Sequence, residues 1–223
     1  MRKIALVFDL DGTLVDSLPD LRAALNEMLR GLARHELSAD QVRRMIGDGT
    51  HALVERALRA TGEVAELENA HQRFLTFYQA TPTRLSRLYP RVATTLRSLT
   101  ESGARLGICT NKQQTATFAV LQGFNIAKYF EVIVGGDVVS FRKPDPRHLL
   151  AALEQLGASP DEAVMVGDSE NDYAAGRGAG AAVILMRYGY LRVLPETLAP
   201  DAWLDRFADI SPALDRIKKL GRS

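Results

Sequence analysis

From Arg105 onward the chain keeps a fixed rhythm. Short apolar runs ("RLGICT", "FEVIVGGD", "AVMVGDS", "AAVILM") alternate with helical patterns ("TATFAVLQGF", "RHLLAALEQLG", "YAAGRGAG"). Near-continuous apolar runs mark strands buried on both faces, and strands separated by helices must cross over and pair in parallel. The expected fold is therefore α/β, a doubly wound parallel sheet with helices on both faces. Gly103, Gly123 and Gly157 stand where helices should stop, and Pro90 suits the first turn of a helix carrying Val92, Leu96 and Leu99.

Ile4 to Phe8 reads as the first buried strand, but the next stretch has a different period. Leu18, Leu21, Leu25, Leu29 and Leu32 recur at helical spacing, and Ser38 with Gln41 makes a capping-box sequence. "HALVERAL" adds an apolar face at Leu53, Val54, Ala57 and Leu58. No strand pattern appears between Leu18 and about Ser86, so an all-α insert is expected, with a core at 1–16 and 87–223 and a cap at 17–86. The connections near Asp16 to Leu18 and Arg84 to Tyr89 would serve as hinges, letting the cap open and close over the sheet edge.

Composition removes several classes of function. With 223 residues and 46% hydrophobic content the chain can bury a full core. A formal net charge of +1, with charges of both signs, offers no bulk attraction to nucleic acid or an anionic membrane. The apolar run after Arg2 and Lys3 meets Asp9 too soon for a signal peptide's roughly 7–15 apolar residues. No stretch reaches the roughly 18 apolar residues of a membrane span. Cys109, the one cysteine, excludes a disulfide framework and reads as a small buried strand residue, so a reducing, cytoplasmic setting is expected.

In a doubly wound sheet, ligands bind outside the carboxyl ends of the strands, so the residues that follow each strand matter most. Asp9 and Asp11 follow the first, Thr110 and Asn111 follow "LGIC", a loop after "EVIVGGD" leads to Lys143, and Asp168, Ser169 and Asp172 follow "AVMVG". Two carboxylates close together at a partly dehydrated site repel each other and need positive charge nearby. The chemistry that fits is phosphoryl transfer from a monoester through an aspartyl-phosphate on Asp9. Oxygen ligands from Asp9 and Asp168 suit Mg²⁺. Lys143 supplies a point charge and Thr110 a hydroxyl donor to the phosphoryl group, while Asp11 protonates the leaving oxygen and later activates water. Gly12 lets the backbone approach the phosphate, with neighbouring N–H groups donating to it.

"DLDGT", "TN", "KPDP" and "GDSEND" resemble, in order and spacing, the four motifs of the haloacid dehalogenase superfamily of phosphohydrolases. The resemblance covers essentially the whole chain, the insert corresponding to that family's cap, and it implies the Rossmann-like fold of that family. It further implies Asp9 as nucleophile, Asp11 as acid/base, and Mg²⁺ on the Asp9 carboxylate, the Asp11 main-chain carbonyl and Asp168. Thr110, Asn111 and Lys143 become phosphate ligands, and Asp172 either joins the metal shell or orients Lys143. "TNK", "IAKYFEVIVGGD", "FRKPDP" and the cap's "MIGDGT" look most like the phosphoglycolate phosphatases. Dehalogenation is not expected, because that branch lacks the second aspartate present here as Asp11.

Substrate choice is expected at the loop Gly47, Asp48, Gly49 and Thr50, whose backbone N–H groups could hold an anion such as a glycolate carboxylate. Arg43, Arg44 and His51 flank it and read as solvated charges, as does Lys112 at a helix start, with a second anion contact as its alternative. His35, His71 and His148 read as surface or packing residues, and Trp203 as strand or core. The expected partner is a small phosphate ester, and the protein is expected to act as a monomer or homodimer. The alternatives are another sugar-phosphate or nucleotide phosphatase and a sugar-phosphate mutase. A phosphoacceptor signalling domain fails on length, on the large insert and on the early position of the aspartate.

Overall fold

The computed structural model describes residues 4–80 and 83–219. A six-stranded parallel sheet runs in the order β5-β4-β1-β6-β7-β8. Its strands are β1 (Ala5–Phe8), β4 (Arg105–Cys109), β5 (Val132–Val134), β6 (Ala163–Gly167), β7 (Ala182–Met186) and β8 (Ala202–Leu204). Central β1 hydrogen-bonds to β4 on one side and β6 on the other, Val7 lying opposite both Gly107 and Met165. Strand order reverses at β1, which opens the crevice at its carboxyl end.

The side-chain alternation of β1 divides the core between the two faces of the sheet. Leu6 and Phe8 pack with Leu96 and Leu99 of α5 (Val92–Glu101), Val120 and Leu121 of α6 (Gln114–Gly123), and Leu214 and Ile217 of α9 (Ile210–Lys219). Ala5 and Val7 face the other way, onto Leu149, Leu153 and Leu156 of α7 (Pro146–Leu156); α8 (Glu170–Ala179) adds the partly buried Tyr173 and Ala179. Helices therefore cover both faces, as the sequence rhythm requires.

Residues 18–80 form α1 (Leu18–Arg30), α2 (Ala39–Arg43), α3 (Thr50–Thr61) and α4 (Leu67–Ala80). They build a separate apolar cluster in which Leu21, Leu25 and Met28 meet Leu53, Leu58, Phe74 and Tyr78, with Ala116 and Tyr190 contributed from the sheet side. Ser38 and Gln41 make both bonds of the capping box. The chain enters and leaves this bundle through an antiparallel ribbon of β2 (Val15–Asp16) and β3 (Arg87–Leu88). Asp20, buried in α1, accepts from the backbone N–H groups of Leu85 and Ser86 and from the Ser86 hydroxyl, fixing the return connection.

Two local expectations need adjusting. Pro90 precedes α5 instead of starting it, and Arg91 takes the N-cap position in a left-handed conformation. Gly123 closes α6 without ending the turn, which Asn125 reverses at φ 55. A Cβ at position 123 would lie 2.9 Å from Thr83 Cγ2, so the glycine there serves close packing. Gly103 and Gly157 do have the left-handed backbone of helix ends, and Trp203 lies half-buried in β8 beneath Arg187.

Candidate active site

β1 ends at Phe8 and delivers Asp9 into the crevice, where its N–H donates to Val166 O of β6. The turn that follows is closed on itself. Gly12 N donates to Val15 O, and the N–H groups of Thr13, Leu14 and Val15 all donate to Leu10 O. The Leu10 and Asp11 N–H groups stay outside this network, so they, and not Gly12, are the turn's candidate anion donors. Gly12 has φ 91, and an added Cβ would lie 2.3 Å from an Asp168 carboxylate oxygen. Its close approach is to Asp168, which replaces the sequence expectation of a close approach to phosphate.

Lys143 is the pivot of the acidic corner. Its buried Nζ donates to Asp172 Oδ1 at 2.6 Å and lies 3.1 Å from Asp9 Oδ1. Burial disfavours the ammonium, but Asp172 and Asp9 together hold its pKa above the ordinary lysine value. His148 braces the same loop from behind. Its Nδ1 accepts from Lys143 N and its Nε2 lies 3.3 Å from Gly135 O, which assigns the proton to Nε2. Burial, with Lys143 next, pushes its pKa down to about 4, so the ring is neutral.

Asp172 spends both carboxylate oxygens inside the protein. Oδ1 takes Lys143, while Oδ2 accepts from Asp168 N, Ser169 N and Ser169 Oγ. Of the two places the sequence left open for it, these bonds favour orienting Lys143. Asp168, just past β6, accepts from Thr13 Oγ1 at 2.7 Å and from Tyr190 N at 2.7 Å. Burial and then the facing carboxylates raise its pKa well above the usual range. Asp9 is pushed up to about 6 by burial and by Asp172 and Asp11, against Lys143 and the Thr110 hydroxyl.

These residues fit a hard divalent cation. Ligand oxygens of Asp9, Asp168 and Asp172 lie within 4.8 Å of one another. Asp9 Oδ1 is buried and, apart from its ion pair with Lys143 at 3.1 Å, accepts no hydrogen bond among the described residues. Four carboxylates (Asp9, Asp11, Asp168, Asp172) meet two ammonium groups here, Lys143 and Lys112, leaving excess negative charge for a cation to offset.

Thr110 follows β4 and lines the crevice with Asp9, Asp11, Lys112 and the insert's Leu21, Ile46, Gly47, Gly49, Thr50 and Leu53. Asn111 lines it too, but its amide donates to Gly47 O and to Lys143 O, both at 2.9 Å. Two carbonyl partners fix the amide orientation, leaving Oδ1 as the spare atom. With both amide donors spent on carbonyls, the side chain ties the insert to the lysine loop at the position where the sequence expects a phosphate ligand.

Asp48 also departs from expectation. It points away from the crevice, accepting from Asn171 Nδ2 at 2.6 Å and pairing with Arg56 and Arg192, while Arg192 also pairs with Glu170 at 2.6 Å. Although partial burial opposes it, donation from Arg192, Asn171 and Arg56 holds the Asp48 carboxyl far below the usual range. Gly47 and Gly49 stay at the crevice, and Asp48 acts as a latch between insert and sheet domain. Arg192→Ala is expected to raise KM for a small substrate roughly tenfold with less effect on kcat, since it removes charge-assisted bonds that hold the loop over the site. Steady-state kinetics checks this, and an unchanged KM would show that the loop does not depend on the latch.

Sequence reasoning missed two further residues. Lys112, expected at the surface, is buried and donates to both oxygens of Asp11 at 3.1 and 2.8 Å, with its Nζ 4.7 Å from the centre of the Tyr78 ring. Tyr190 holds Asp168 through its N–H; its hydroxyl donates to Asp16 and accepts from Leu18 N. Arg43 lies against the Tyr190 ring and Gly189 O, His51 pairs with Glu68, and His71 is buried against Thr50 Oγ1. Arg44 and His35 are exposed.

The motif residues at the strand ends and the sheet they stand on define a phosphohydrolase class. A family model for haloacid dehalogenase-like hydrolases matches residues 6–186, and the chain belongs to that family. A phosphoglycolate phosphatase of Rhodospirillum rubrum is 41% identical over 92% of this chain and 88% of its own length. One of Agrobacterium fabrum is 37% identical over 93% and 91%. Among solved structures, a "predicted phosphoglycolate phosphatase" from Haemophilus somnus superposes with TM-score 0.92 at 33% identity, covering 96% of this chain and 99% of its own. The protein is a phosphatase. No helix among the described residues is long and apolar enough to cross a membrane.

Proposed function

We propose that this phosphatase hydrolyses 2-phosphoglycolate through an aspartyl-phosphate on Asp9, with Mg²⁺ bound by the Asp9 and Asp168 carboxylates and the Asp11 carbonyl. The observation that carries the reading is the convergence of Asp9, Lys143, Thr110 and Asp168 from separate strand ends on one buried corner, with Asp11 beside it. When bound, the metal offsets phosphate and carboxylate charge that would otherwise repel.

The residues then divide the work. A carboxylate oxygen of Asp9 attacks phosphorus as the bond to the leaving oxygen breaks, and Asp11 gives that oxygen its proton. Water next attacks the phosphoaspartate, Asp11 takes the water's proton, and the bond from phosphorus to the Asp9 oxygen breaks to release phosphate. Lys143 holds a positive charge against the phosphoryl group throughout, while Asp172 and His148 fix its position. The Thr110 hydroxyl and the Leu10 and Asp11 N–H groups supply further donors. Residues 17–86 act as a cap, closed by the Gly47 and Asp48 contacts.

Phosphate release should be measured against 2-phosphoglycolate, sugar phosphates and nucleoside monophosphates, with and without a chelator. The expected result is preferential, chelator-sensitive release from 2-phosphoglycolate. Equal release with chelator present would remove the metal, and phosphate retained on Asp9 without release would favour the mutase reading.

A further inference from the structure

The buried Lys112 has no assigned task, and burying an ammonium carries a cost that its surroundings must offset. Its carboxylate partner is Asp11. Carboxylate and ammonium face the crevice together, and Nζ packs over Tyr78 of α4. The insert brings Leu21, Ile46 and Leu53 to the crevice as aliphatic walls, together with Gly47, Gly49 and Thr50. None of these side chains is charged. Arg43, Arg44 and His51, which the sequence sets beside the loop, are engaged elsewhere or exposed and do not line it.

Two lysines with different surroundings therefore flank Asp9 and Asp11, and Lys112 is the one that lines the crevice. Lys143 stands between Asp9 and Asp172, at the phosphoryl end. Lys112 stands on the far side of Asp11, toward the cap. The amino terminus of α3 reaches the same space: Gly49 is its N-cap, makes no side-chain capping bond, and lines the crevice with Thr50 and Leu53. First-turn N–H groups that no side chain caps share the crevice with a buried ammonium, and together they make a seat for a compact anion.

We propose that Lys112, with the first turn of α3, is the specificity-determining contact for a carboxylate on the leaving group. Selection is thus made by a core lysine, and the cap arginines have no part in it. The inference rests on the phosphomonoesterase reading above and assigns the chemical class it accepts: short esters whose leaving alcohol carries one carboxylate next to the scissile oxygen. The aliphatic walls of Leu21, Ile46 and Leu53 disfavour a polyhydroxylated leaving group, since they offer its hydroxyls no partners on that side.

The test compares kcat/KM for 2-phosphoglycolate with that for 2-hydroxyethyl phosphate, which replaces the carboxylate by a neutral hydroxymethyl group. Wild-type protein, Lys112→Met and Lys112→Arg are measured. Wild type should prefer the carboxylate ester. Lys112→Met slows both substrates by leaving Asp11 unpaired, yet the ratio between them should fall roughly 10- to 100-fold, and Lys112→Arg should keep most of it. Binding of both esters to Asp9→Asn and to Asp9→Asn/Lys112→Met, by calorimetry with Mg²⁺, gives the same comparison without turnover. An unchanged ratio in Lys112→Met overturns the inference, as does wild-type preference for the neutral ester or for one bearing a second phosphate. Inactivity of wild type on both esters with activity on another panel member would instead overturn the phosphoglycolate reading.

Discussion

Asp9→Asn is expected to reduce phosphate release by more than about 10⁴-fold, the scale seen when a nucleophile is removed from a site that otherwise stays assembled. The change is nearly isosteric, and Lys143 keeps Asp172 at 2.6 Å, so the corner does not lose its cation. Stability moves the other way. An Asp9 carboxyl whose pKa is raised from 3.8 to about 6 binds its proton more tightly folded than unfolded, so in metal-free protein ionising it costs stability as pH rises through that interval. Asparagine does not titrate. Wild type and variant should melt alike near pH 4, draw apart between pH 4 and 6 and stay apart above pH 6, with the variant more stable. Discontinuous phosphate release and calorimetric melting over pH 4 to 8 check both halves; residual turnover near the wild-type rate would remove Asp9 from the nucleophile's place.

Lys143→Met is expected to act on turnover and on stability together. The lysine side chain is 1% exposed and stands between Asp172 at 0% and Asp9 at 15%. Taking it away leaves carboxylates facing one another without their ammonium, a loss of about 3–5 kcal/mol in comparable buried pairs. For a chain of this size that corresponds to a melting temperature lower by roughly 10 °C. Because an added divalent cation answers the same charge deficit, Mg²⁺ should raise the melting temperature of Lys143→Met more than that of wild type. Equal shifts would mean the lysine and the cation do not share the same carboxylates.

The sheet was legible because each of its apolar runs is buried on both faces and carries its own signal, as β1 and β6 do in Ala5–Phe8 and Ala163–Gly167. The strand-end residues were legible for a related reason: a parallel sheet brings the ends of distant strands to one edge. What stayed hidden were pairings that no local period encodes. Asp48 looks like a loop residue between two glycines until Arg192, 144 positions away, is folded against it. Lys112 looks like the first charge of a solvated helix until Asp11, 101 positions away, meets it. For Asn111 a motif position does not say where the amide donates, which is to Gly47 O and Lys143 O.

The ribbon of β2 and β3 bears on how such a chain can change over evolutionary time. Asp16 lies opposite Arg87, so the polypeptide leaves the sheet domain and returns to it at almost one point. No rung of the six-stranded ladder passes through the helices in between. The insert is in this sense a detachable module. Exchanging it would leave every strand register intact and would require new partners only at its seams, above all for Ala116, Tyr190 and Arg192.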